Sequence, residues 1–150
     1  MRKATLIIIG IVYVASIVIV SMFGLKAVVY DEVVPVLSIE CVNETKGDVE
    51  VLTNNSGRKT IRVQFTEPGD IETLTGTVLQ LEHRVLPDDA TNKEVKYVYS
   101  REQYPQVEFH KVGDRETGAI VFTAPAMFTL RIYSTDGSNI YTEVLISCRR

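Results

Sequence analysis

The sequence predicts an all-β fold, a two-sheet β-sandwich preceded by one N-terminal transmembrane helix. Three observations carry that expectation: an uncharged apolar run near the start, an apolar–polar alternation of period two from Pro35 onward, and turn-forming clusters between the alternating runs.

The apolar run is Ala4 to Leu25, 22 positions without a charge. As a helix it would be about 33 Å long, and a hydrocarbon core is about 30 Å thick. About a dozen of its residues are Ile, Val, Leu or Phe, each favouring insertion by about 0.3–0.6 kcal/mol. Arg2 and Lys3 precede the run, which by the positive-inside rule keeps the N-terminus in the cytoplasm and exports the chain beyond Lys26. The expected organisation is a signal anchor at residues 1–29, a linker at 30–34 and an exported sandwich at 35–150. Its lipid contact would run through Ala4–Leu25, placing the chain in the cytoplasmic membrane as a single-pass protein. The competing reading is a signal peptide that is cleaved, leaving a secreted domain. Such peptides carry an apolar stretch of about 7–15 residues and close on small residues. Here the run is longer, and Leu25-Lys26-Ala27 puts a large residue and a charge where small ones are wanted.

Charge divides the chain at Tyr30. Before it stand three basic residues and no acids; after it stand 13 Lys/Arg against 19 Asp/Glu, a net −6. That balance excludes nucleic acid as an expected partner, because such binding needs clustered basic charge.

Strands are justified in order by side chains that alternate across a pleated surface. Leu79, Leu81, His83 and Val85 alternate with Gln80, Glu82 and Arg84; Val95, Tyr97 and Tyr99 flank Lys96 and Val98; Phe128, Leu130 and Ile132 alternate with Thr129 and Arg131; Val144, Ile146 and Cys148 keep the same period. Turn clusters include Asn54-Asn55-Ser56-Gly57, Glu67-Pro68-Gly69-Asp70 and Thr135-Asp136-Gly137-Ser138. Strands are therefore expected near 35–43, 49–54, 59–66, 73–86, 94–100, 106–111, 118–123, 127–134 and 139–148, with no substantial helix after Tyr30. Short strands so spaced indicate a sandwich.

The stretch from Thr77 to Ser100 resembles the centre of bacterial immunoglobulin-like domains of group 2. The matching residues are Val85, Pro87, Asp89, Ala90, Thr91, Asn92, Lys93, Val95, Tyr97 and Ser100. Tyr97 stands where that family most often has tryptophan. Similarity extends over roughly Ile61 to Cys148, although Ala124-Pro125-Ala126 replaces the glycine that usually begins the last hairpin. The resemblance implies an immunoglobulin-like sandwich with a role in cell-surface interaction or structural support.

Cys41 and Cys148 lie near the two ends of the exported part. An oxidising compartment permits a disulfide between them, and closing so long a loop is worth about 4–5 kcal/mol in the chain-entropy description. The alternative is two buried free thiols. Two distant cysteines do not make a zinc site.

Little else suggests chemistry. His83 and His110 stand in no metal-binding spacing, and His83 falls on an apolar face. No hydrolase, metalloprotease, phosphate-loop or dinucleotide motif is present, so a non-enzymatic chain without cofactor or metal is expected. Asp88-Asp89 and the Glu67, Asp70, Glu72 group read as solvated turns. Asn43-Glu44-Thr45 and Asn54-Asn55-Ser56 satisfy the glycosylation sequon by chance. Tyr99, Tyr104 and Tyr133 are the candidates for a surface that meets an unknown protein or a cell-surface glycan. An accessory subunit of a membrane transport, secretion or envelope complex is the alternative function.

Overall fold

The structure is a computed structural model that describes residues 2–24 and 32–150. It divides into two compact units, Met1–Glu32 and Val33–Arg150. Leu25, Lys26 and the first residues of the expected linker lie outside the described residues.

The first unit is helix α1, Arg2–Gly24. Its β-branched residues are mediocre helix formers, but the run holds no proline. The hydroxyls of Ser16 and Ser21 donate back to the carbonyls of Val12 and Ile17, both at 2.8 Å. The expectation of a transmembrane helix is corrected here. Among the described residues, no helix is long and apolar enough to cross a membrane. The continuous stretch of described helical side chains, residues 3–19, is about 26 Å long against a hydrocarbon core of about 30 Å. Lys3, Thr5, Gly10, Tyr13 and Ser16 dilute its apolar character.

The second unit holds ten strands: β1 Ser38–Cys41, β2 Val49–Thr53, β3 Lys59–Gln64, β4 Val78–Gln80, β5 His83–Leu86, β6 Val95–Val98, β7 Val107–Val112, β8 Arg115–Phe122, β9 Ala126–Ser134 and β10 Tyr141–Arg149. One sheet has five strands in the order β2-β3-β10-β9-β6, a second has the order β4-β8-β7, and β1 pairs with β5. Pairing is antiparallel except between β3 and β10, which run parallel with Ile61 opposite Ile146. Alternation drives the assembly: in β9, Ala126, Phe128, Leu130 and Ile132 are buried while Met127, Thr129 and Arg131 are exposed. The inner faces of the two larger sheets meet in one core. There the Phe122 and Phe128 rings lie 6.4 Å apart and the Tyr97 ring stacks on Phe109 at 5.3 Å. Apolar burial across facing sheets is the main stabilising force of such a unit.

Two departures from simple alternation have visible causes. In β8 every residue from Gly118 to Phe122 is buried. The loop after β3 covers the outer face of that strand: a Cβ on Gly69 would stand 2.5 Å from Val121 Cγ1, and Gly69 N–H donates to the Phe122 carbonyl at 2.8 Å. The strand expected over 73–86 is shorter and broken. Residues 71–74 form a turn, and β4 and β5 are separated by Leu81-Glu82. At that break the Asn43 amide accepts from Glu82 N–H and donates to the Gln80 carbonyl, both at 2.8 Å. One run of residues thereby passes from pairing with β8 to pairing with β1.

Candidate functional site

A groove of the second unit, about 570 Å³, lies between β6 and the start of β8. Its floor is built by alternation in β6. Tyr97 is the inward residue of that strand and is 4% exposed, with its hydroxyl 3.3 Å from His83 Nδ1. The two rings meet edge to face at 6.0 Å. Gly118 makes room for this pair. Its φ is +78°, and a Cβ there would stand 2.9 Å from Tyr97 Oη and 3.0 Å from the Leu81 carbonyl oxygen, a backbone and a space suited to glycine.

Burial governs the protonation of the floor. It pushes the Tyr97 phenol up to about 12, assisted by the negative charge of Glu116, and pushes His83 below its ordinary value. At neutral pH the floor is an uncharged phenol beside a neutral imidazole.

The rim is charged. Arg115 pairs with Glu94 at 2.7 Å, and Arg101 pairs with Glu116. Lys93, Lys96 and Asp114 also line the groove, and they make no ion pair among the described residues. β6 ends its sheet, so one side of its backbone faces the groove without a strand partner. Such a rim and edge can hold a charged or extended ligand. Sequence reasoning did not find this site, because Arg115 and Glu116 reach it from β8, a strand far along the chain from Lys93–Lys96. The only local signal was the loop motif that ends in Lys93.

The residues singled out from sequence are distributed over the fold. Tyr99 donates its hydroxyl to the Val107 carbonyl at 2.8 Å and lies 5.2 Å from Phe109 and 5.3 Å from Phe128. Tyr104 lies 5.5 Å from Phe128. Both are half-buried against the core rather than displayed, because Tyr99 continues the inward phase of Val95 and Tyr97. Tyr133 is on the opposite, outward face of β9, 4.9 Å from the Tyr141 ring. The three tyrosines therefore do not form one surface.

Cys41 and Cys148 are both buried and free. Burial pushes the Cys41 thiol up and the Cys148 thiol to about 11, so neither is a thiolate at neutral pH. Asp88 is held below the usual carboxylate range by Arg84, which reaches it through two nitrogens. Asp70 caps its own turn by accepting from Glu72 N–H at 2.8 Å. His110 meets Thr117 Oγ1 at 3.0 Å. Asn43 is only 8% exposed with its amide engaged, which removes it as a glycan acceptor; Asn54 accepts from Ser56 N–H and Arg58 N–H within its turn. Among the described residues no group of three or more His, Cys, Asp or Glu is arranged to hold a metal ion. No known family model matches the chain, and no curated protein matches it.

Proposed function

We propose that the chain is a non-enzymatic, extracytoplasmic immunoglobulin-like module that binds a protein or glycan at the bacterial cell surface. The observation that carries this reading is the charged rim of the groove beside the open edge of β6. Lys93, Lys96 and Asp114 stand there without ion-pair partners among the described residues, while the floor offers a neutral His83 and a protonated Tyr97. Uncompensated rim charges steer and select a partner more than they add raw affinity. The parallel β3–β10 pair within a five-stranded sheet, facing a β4-β8-β7 sheet, supports the immunoglobulin-like part of the proposal.

A second reading, an accessory subunit of a transport, secretion or envelope complex, is favoured by α1. Leu6, Ile7, Ile8, Ile9 and Ile11 are each more than half exposed, and exposed apolar side chains so closely spaced call for an apolar partner.

The test is in-cell cross-linking and then affinity purification of the full chain and of Lys96→Glu. Capture of a partner that is lost with Lys96→Glu supports the groove as the binding site. Capture unaffected by that charge reversal assigns the contact elsewhere, and absence of any captured protein or glycan overturns the proposal.

A further inference from the structure

The outer face of the five-stranded sheet carries a second site, independent of the groove at β6. Its centre is Ser147 on β10. Strand register places Arg62 of β3 on one side of it and Met127 of β9 on the other, and Arg149 stands two residues later on the same face. Although it lies on the outward face, Ser147 is 2% exposed, and its hydroxyl has no hydrogen-bond partner among the described residues. A buried hydroxyl without a partner costs free energy that a bound acceptor would recover.

The surroundings specify that acceptor. Arg149 makes no ion pair among the described residues; its guanidinium rests 3.6 Å from the Met127 sulfur. Arg62 is joined to Glu50 at 3.2 Å, with both side chains about half exposed, a surface pairing of small worth that a better ligand can displace. Two cavities of about 300 Å³ and 310 Å³ share Arg62, Ser147 and Arg149. The larger is lined by Asp48 and Glu50, which repel an anion. The other has no acidic lining residue and adds Leu52, Met127 and Leu145.

We infer that this second cavity binds a carboxylate carried next to an apolar side chain, as on an acidic, leucine-like segment of a partner polypeptide. The two guanidinium groups and the Ser147 hydroxyl would donate to the carboxylate, and the apolar side chain would cover Leu52 and Leu145.

The probe is N-acetyl-leucine, titrated into the full-length chain in a non-ionic detergent while the methyl resonances of Leu52, Met127 and Leu145 are tracked by NMR. Saturable shifts in the millimolar range are expected. Arg149→Gln should weaken the probe by about tenfold, and N-acetyl-leucine amide should bind at least about tenfold more weakly than the acid. Arg149 is exposed, and an unchanged circular dichroism spectrum will show that its variant is folded. Failure to saturate, equal binding of the amide, or indifference to Arg149→Gln overturns the inference. Sodium phosphate that shifts the same methyls with equal affinity overturns the apolar half of the recognition and with it the inference as stated.

Discussion

The side-chain oxygen of Asn43 accepts the backbone N–H of Glu82 at 2.8 Å, and its amide nitrogen donates to the Gln80 carbonyl. This pair of bonds occupies the point where a single extended run leaves β8 and joins β1. Without it, a part-buried N–H and a part-buried carbonyl would lose their hydrogen-bond partner.

Asn43→Ala is therefore expected to destabilise the second unit by about 1–3 kcal/mol, since it removes two part-buried hydrogen bonds worth about 0.5–1.5 kcal/mol each. Urea denaturation monitored by far-UV circular dichroism will read this as a lower midpoint at constant slope. Asn43→Asp keeps the acceptor for Glu82 but buries a charge and sets a carboxylate oxygen against the Gln80 carbonyl, so it should also destabilise, more at about pH 7 than at about pH 4. Equal midpoints for wild type and Asn43→Ala would show that the strand switch is held by other contacts.

Gly118 is the other position where one atom decides the local structure. Gly118→Ala adds a methyl 2.9 Å from Tyr97 Oη and 3.0 Å from the Leu81 carbonyl oxygen at a φ of +78°. Strain in φ and the close contact together should cost about 2–4 kcal/mol. Adding Tyr97→Phe removes only the contact with the hydroxyl. The double variant should accordingly recover part of the loss relative to the sum of the singles, a coupling measured by a double-mutant cycle. Strict additivity would mean that Tyr97 moves aside freely.

Alternation makes part of this fold legible in the sequence and hides the rest. It reports which face of a strand is buried, so β6, β7, β9 and β10 fall close to where the pattern puts them, and Tyr133 is outward because it is out of phase with Ile132. The same rule would have placed Tyr99 inward with Tyr97; the polar hydroxyl obscured it. Alternation says nothing of pairing partners. Leu79, Leu81 and Val85 remain buried in unbroken phase while their backbone changes sheets, so the break at Leu81-Glu82 is invisible in the sequence. Ser147 was equally hidden: it is buried although its phase on β10 points outward. The apolar N-terminal run was plain in the sequence, yet among the described residues no helix is long and apolar enough to cross a membrane.

The two cysteines are expected to stay reduced. Cys41 registers with His83, and its carbonyl is met by the Lys59 ammonium. Both thiols are buried and free. Thiol titration of the denatured, unreduced chain should count both cysteines. In the native state reaction should be slow, because burial holds both thiols protonated. A denatured count below two would show that they are bridged.

His83 gives the fold a pH dependence of predictable sign. Burial lowers its pKa in the folded state, while the unfolded chain has the ordinary value of about 6.5. The unfolded state thus takes up a proton first as pH falls. Stability contributed by the neutral ring is complete above about pH 6.5 and is lost progressively as pH drops from there toward the folded value. Asp88, held low by Arg84, acts in a separate window: its contribution is present above about pH 4 and is lost below it. Urea midpoints at about pH 7.5 and about pH 5.5 therefore isolate the histidine. The wild-type midpoint should fall between them, and His83→Gln should flatten the difference whatever its own stability, since glutamine does not titrate. A wild-type midpoint that does not move across this range would place the His83 ring in water rather than beneath the groove.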